Sequence, residues 1–197
     1  MLDLLFGVRC VCCGRGHRGL CDECERMLEE PPERPAPDGL DALVALCAYG
    51  GVGSELVLAL KRGNRRGAVP LLGGALADGL TATPTGHGGS ITVTWAPTTA
   101  PRRRRRGFDQ AELLARATAR SGGWPARNLL RRTSEAQMGR GGESRRCGVA
   151  FDPRGSSPET VAVVDDVATS GATMSAAAAA LRRAGARTVV GLVVATA

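Results

Sequence analysis

Four consecutive apolar residues, Val161 to Val164, run straight into two adjacent acids, Asp165 and Asp166. A segment of small and hydroxyl residues from Ala168 to Thr173 follows, then an Ala-rich stretch ended by Gly185 and a second apolar run, Thr188 to Val194. Continuous apolar runs bounded by turn signals read as buried strands, and strand, helix, strand in that order is a βαβ unit, which commits its strands to a parallel sheet covered by helices. The pattern predicts an α/β fold, with strands over 160–164 and 188–194 and a helix over 173–184.

Such a unit gathers its polar residues at the carboxyl end of a strand, where open α/β sheets bind ligands. Thr169, Ser170, Gly171 and Thr173 offer hydroxyls, close backbone approach and the N–H groups of a helix N-terminus, which together suit a phosphate. The two carboxylates in front would lie within reach of neighbouring sugar hydroxyls. An acid pair alone would serve equally well as a magnesium site in phosphotransfer, and the plainest reading is a capped helix with Asp166 as an exposed loop acid.

Five of the seven cysteines fall within the first 24 residues, and no export signal accompanies them. Thiols stay reduced in the cytosol, so metal binding is favoured over disulfides. Two Cys-x-x-Cys knuckles, Cys10 with Cys13 and Cys21 with Cys24, have the spacing that closes four thiolates around zinc. Cys12 and His17 are substitute ligands in the same segment. Residues 1–30 are too few to build a core of their own, so the module is expected to be structural. Four prolines in the nine residues from Pro31 to Gly39 favour an extended spacer. The chain thus divides into a zinc module (1–30), a linker (31–39) and a main domain (40–197).

Within the main domain, strands are expected over 41–49 and 91–96 and helices over 52–60 and 68–80, with a flexible segment over 81–90 that contains His87. Asp109 with Glu112 resembles a capping box opening a helix whose apolar face carries Leu113, Leu114 and Ala117. From Arg131 to Gly142 no period is evident, and a mobile loop is expected. Cys47, in a strand, and Cys147, in a polar loop, have no sequence partner that would make either a nucleophile.

Charge is concentrated between 61 and 146, where seventeen basic residues face five acids. That balance suits nucleic acid or a small phosphorylated metabolite. Six aromatic residues in 197 leave little for a base-stacking platform, and the acidic excess of residues 1–30 speaks against a groove-reading finger. No apolar run approaches the length of a membrane span, and Leu4 to Val8 is short for a signal peptide, so a cytoplasmic protein without membrane insertion is expected. Lys61 is the single lysine beside 25 arginines.

The thirteen residues from Val161 to Thr173 resemble the 5-phosphoribosyl-1-pyrophosphate (PRPP) motif of type I phosphoribosyltransferases, with Ser170 where a second threonine is usual. Together with the cysteine knuckles, Leu60-Lys61-Arg62-Gly63, the segment Arg106 to Ala115, and Arg132-Thr133 with Gln137, the chain is similar over almost its whole length to the ComF family. These are predicted phosphoribosyltransferases associated in some bacteria with uptake of transforming DNA. Asp109 stands where that family commonly has Asn, and its Arg-Asn element is not clear around Arg145 to Phe151.

The resemblance implies a type I phosphoribosyltransferase-like parallel sheet flanked by helices, beside a small zinc module. It implies that Asp165 and Asp166 hold the ribose 2′ and 3′ hydroxyls, and that Ala168, Thr169, Ser170, Gly171, Ala172 and Thr173 cradle the 5-phosphate. Lys61, Arg62 and Gly63 would meet the pyrophosphate, with Arg106 at the mouth of the site. Magnesium would accompany PRPP, and the acceptor is unidentified. Partners in DNA uptake, single-stranded DNA or competence helicase machinery, belong to the same implication. The competing reading is a DNA-handling adaptor that keeps the fold without turnover. For the Arg102 to Arg106 run, a solvated surface loop or an RNA-binding patch is the alternative.

Overall fold

The computed structural model describes residues 9–16, 19–61, 67–84, 90–134 and 148–197. Along the chain run α1 (Asp22–Arg26), β1 (Ala42–Ala48), α2 (Gly51–Lys61), α3 (Ala68–Ala82), β2 (Ile91–Trp95), α4 (Ala100–Arg106) and α5 (Gln110–Gly122). They are followed by β3 (Leu130–Ser134), β4 (Val149–Pro153), β5 (Thr160–Ala168), α6 (Ala172–Arg183) and β6 (Thr188–Thr196). The main sheet is four-stranded and parallel throughout, in the order β1-β6-β5-β2. β3 and β4 form a separate antiparallel pair.

Alternation along the strands divides the interior into two layers. Ala162 and Val164 of β5 and Val190, Leu192 and Val194 of β6 pack with Leu56, Leu60, Leu76 and Leu114 from α2, α3 and α5. Val161, Val163, Val189 and Val193 face the other way, against Met174, Ala177 and Leu181 of α6 and Leu130 and Phe151 of the β3–β4 pair. Helices α3 and α5 approach closely because Gly73 has no side chain: a Cβ there would lie 2.5 Å from that of Ala117.

Several expectations need correction. β5 continues four residues beyond Val164, so both acids lie in the strand, and Asp166 is buried at 5% exposure rather than an exposed loop acid. The arginine run is a helix. Pro101 sits in its first turn, Gly107 ends it in the left-handed region at φ 77°, and its basic last turn complements the helix dipole. Thr81 and Ala82 belong to α3.

Arg131 to Ser134, expected as loop, form β3. The signal was hidden because an arginine provides the packing: Arg132 stands opposite Phe151 and lies 5.5 Å from its ring centroid. His17, Arg62, Gly63, His87, Gln137, Arg145, Arg146 and Cys147 lie outside the described residues, as do Leu4 to Val8.

The cysteine segment packs directly on the main sheet's interior, with Val11 buried in the same cluster as Leu56 and Leu60. The extended stretch 31–39 is likewise held to the body, by Arg34 and Pro37. No helix among the described residues is long and apolar enough to cross a membrane.

Candidate functional site

A cavity of about 370 Å³ opens at the carboxyl end of β5, lined by Lys61, Asp165, Asp166, Thr169 and Thr173 together with Arg102, Arg105, Arg106 and Arg132. Because consecutive strand residues point to opposite faces, the two acids reach it from different layers. Asp166 shares the parity of Val164 and meets groups from α2 and α5. Its Oδ2 lies 3.3 Å from Lys61 Nζ and accepts a hydrogen bond from Gln110 Nε2 at 3.1 Å. Gln110 Oε1 in turn accepts from Arg106 Nη1 at 2.9 Å.

Asp165 shares the parity of Val163 and belongs to the α6 layer, where Arg132 is its cationic neighbour. It is half-buried by accessible surface, because the cavity reaches it, yet it lies deep in the molecule. That deep setting pushes its carboxyl well above the usual range, and the charge of Asp166 pushes it further; the Asp166 N–H, donating at 2.8 Å, opposes both. Arg132 is shifted down, first by its own desolvation, while Asp165 holds it up.

Helical spacing sorts the arginine run. Arg102, Arg105 and Arg106 turn toward the cavity, whereas Arg103 lies 3.6 Å from Glu112 on the far side. The helix is set by Asp109, the N-cap of α5. Its Oδ1 accepts from Ala111 N–H at 3.1 Å and its Oδ2 from Thr98 N–H at 2.8 Å, which ties the β2–α4 connection to α5. Burial raises the Asp109 carboxyl, and these N–H donors oppose the rise. Glu112 pairs with Arg116 at 2.9 Å instead of closing a capping box.

Residues 167–174 enclose a recess of about 30 Å³ at the start of α6. Ala168 anchors it: its carbonyl accepts from Thr196 Oγ1 at 2.9 Å and from Ala197 N–H at 3.1 Å. Thr169 and Ser170 are exposed, and Gly171 caps the helix at φ 76°. The first-turn N–H groups of such a helix have no intrahelical partner and suit an anion; here the Ala172 N–H donates to Ser170 Oγ at 3.4 Å.

Behind the recess lies the proline-rich stretch. Arg34 Nη1 donates to Thr169 O at 2.9 Å, to Thr196 Oγ1 at 3.1 Å and to Ala197 O. A Cβ on Gly171 would come within 2.8 Å of Pro37 Cγ, so the loop is clamped from the rear.

Cys10, Cys13, Cys21 and Cys24 form one group, with all four sulfurs within 4.8 Å of one another. Cys13 and Cys21 Sγ are 3.7 Å apart, close to the roughly 3.8 Å edge of a tetrahedron with metal–sulfur bonds of about 2.3 Å. Backbone and side-chain donors of Arg15 lower the Cys13 thiol to about 6, whereas burial raises Cys24. The four are positioned to bind a metal ion, and their soft sulfur donor set suits zinc. Cys12 stands outside the group, its Sγ 3.9 Å from Val52 O. Cys47 is fully enclosed, donating to Val194 O at 3.3 Å, and burial raises its thiol.

Of the expected site residues, Lys61, Arg106, Asp165, Asp166, Thr169 and Thr173 line one cavity, and Ala168 to Thr173 line the adjoining recess. Arg62 and Gly63 lie outside the described residues. Sequence reasoning gave no role to Gln110, Arg132, Thr98 or Arg34. The local signals were the four-residue spacing of Arg106 and Gln110 and the family-like segments that contain Gln110 and Arg132, none of which assigned a role. The chain matches no protein-family model, and no curated protein matches it, so the chemistry of this cavity carries the functional reading.

Proposed function

We propose that the chain is a phosphoribosyltransferase of the ComF type, which binds PRPP with magnesium at the carboxyl end of β5 and transfers its phosphoribosyl group to an acceptor. One observation supports this above the others: two carboxylates, a small recess at a helix start and a wall of five cationic side chains meet around a single cavity. PRPP presents vicinal hydroxyls, a phosphate and a pyrophosphate, and each has a chemical counterpart there.

In this reading Asp165 and Asp166 accept hydrogen bonds from the ribose 2′ and 3′ hydroxyls, and residues 168–173 take the 5-phosphate. Lys61, beside Asp166, faces the pyrophosphate with Arg102, Arg105 and Arg106. Carboxylates and phosphate oxygens are the hard donors magnesium takes, and bound there the ion would neutralise charge on the leaving group. Displacement at the anomeric carbon passes through a cation-like sugar and needs no enzyme nucleophile. The residues act by positioning the sugar and stabilising the departing pyrophosphate. Zinc at the four cysteines is structural, holding residues 9–16 and 19–26 against the sheet interior.

The test is calorimetric titration of zinc-loaded protein with magnesium and PRPP. Wild-type binding that falls at least a hundredfold in Asp165→Asn/Asp166→Asn supports the site; unchanged affinity in the double variant refutes it. The second reading, a DNA-handling adaptor without turnover, is favoured by exposed Arg103 and Arg104. It requires salt-sensitive DNA binding that weakens when the arginines of α4 are neutralised, with no PRPP binding.

A further inference from the structure

A second cavity, of about 720 Å³, lies between the start of α4 and the β3–β4 pair, and Thr98 and Arg132 line both cavities. Its volume falls within the range of small-molecule sites. Among the described residues four arginines line it, Arg103, Arg131, Arg132 and Arg154, and no acid does. Arg103 and Arg131 are neutralised, by Glu112 at 3.6 Å and by Asp152 at 2.9 Å. Arg132 and Arg154 have no carboxylate within 4.0 Å among the described residues; both spend donors on backbone carbonyls, Pro97 O at 3.2 Å and Leu130 O at 3.2 Å. Arg132 is also half-buried at the boundary, where it feels the charges of Asp165 and Asp109 at longer range, so a cation without a direct ion pair among the described residues stands at the passage between the two cavities.

The layering of the sheet gives this passage a direction. Lys61 and the Arg106–Gln110–Asp166 chain of contacts approach the end of β5 from the α2 and α5 side, whereas Arg132 approaches from the α6 and hairpin side. Displacement at a sugar carbon brings the incoming group from the side opposite the leaving group. Resting on the phosphoribosyltransferase reading, we infer that the second cavity is the acceptor site and that the acceptor is a small organic anion, carrying a carboxylate or a phosphate. Its charge is met by Arg132 and Arg154, and its nucleophilic atom reaches the sugar past Thr98.

The lone pair of that N–H or O–H atom forms the new bond to C1 while the C1–oxygen bond to pyrophosphate breaks. The bonding pair leaves on pyrophosphate, and the acceptor proton passes to water.

Ligand-observed NMR on the full zinc-loaded chain, with magnesium and PRPP present, tests this with matched probes: benzoate against benzamide, and nicotinate against nicotinamide. The expected result is at least fivefold tighter binding of each anion, with that preference lost in Arg154→Gln while calorimetric PRPP affinity stays unchanged. Arg106→Gln, which touches the first cavity alone, should weaken PRPP and leave the anion preference intact. Thermal melts of both variants guard against misfolding. PRPP binding with no preference for anions overturns the acceptor assignment and leaves the PRPP site standing. Anion binding without any PRPP binding overturns both.

Discussion

Replacing Asp165 with asparagine should make the protein more stable while removing the ribose contact proposed for it. The deep setting of Asp165 and the neighbouring charge of Asp166 both disfavour its ionised form, and one N–H from Asp166 at 2.8 Å only partly compensates. Asparagine keeps an oxygen for that N–H and has no charge. Relieving an incompletely matched buried polar group is worth about 1–3 kcal/mol. Water reaches Asp165 through the cavity, so the lower part of that range applies, about 1–2 kcal/mol. At roughly 2–4 °C per kcal/mol for a chain of this size, Tm should rise by about 2–8 °C.

The sign with pH is fixed by the raised carboxyl. Its contribution to stability is present below about pH 4, where the unfolded chain also holds the proton, and is lost as pH rises through the folded-state value. The advantage of the variant therefore grows across that interval and levels off above it. Calorimetric melts of wild type and Asp165→Asn from pH 5 to 8.5 measure the difference directly. A variant equally or less stable at pH 8, or an advantage constant with pH, would refute the account and show that Arg132 fully compensates the ionised carboxylate.

Three further outcomes are expected. Arg34→Met keeps the apolar stem but removes the donors to Thr169 O and Thr196 Oγ1, costing about 2 kcal/mol in denaturant unfolding and weakening PRPP several-fold by calorimetry; unchanged affinity would show that the clamp does not position the loop. Gly171→Ala places a Cβ 2.8 Å from Pro37 Cγ on a left-handed residue, which should cost about 2–4 kcal/mol by the same unfolding measurement. Elemental analysis should find one zinc per chain, and chelation should lower Tm and expose residues 9–16 and 19–26 to protease, because Cys10, Val11 and Cys24 are buried. A melt indifferent to chelator would refute the structural role.

What could be read in advance follows from the range of each signal. The β5–α6–β6 unit was legible because its apolar runs, acid pair and helix start are contiguous, and the cysteine group because its spacing is itself the geometry of a tetrahedron. The extent of β5 was misjudged because acids at the end of an apolar run look like the beginning of a loop. They remain in the strand because Asp165 and Ala168 pair in register with Val193 and Thr196 of β6. That register sends the two carboxylates into different layers, which no count of adjacent acids reveals.

The remaining site residues were hidden for a different reason. Gln110 and Asp166 meet across 56 positions, and Arg34 and Thr169 across 135, so no local pattern joins them. The proline-rich stretch was legible as extended chain, but its role as a clamp depends on what the fold places behind it. Arg132 shows the limit most plainly: in sequence Arg132-Thr133 carries a family resemblance but no place in the site, and its position between two cavities arises only when β3 pairs with β4. Composition could therefore show a basic middle region, but the division of its arginines between two cavities belongs to the topology.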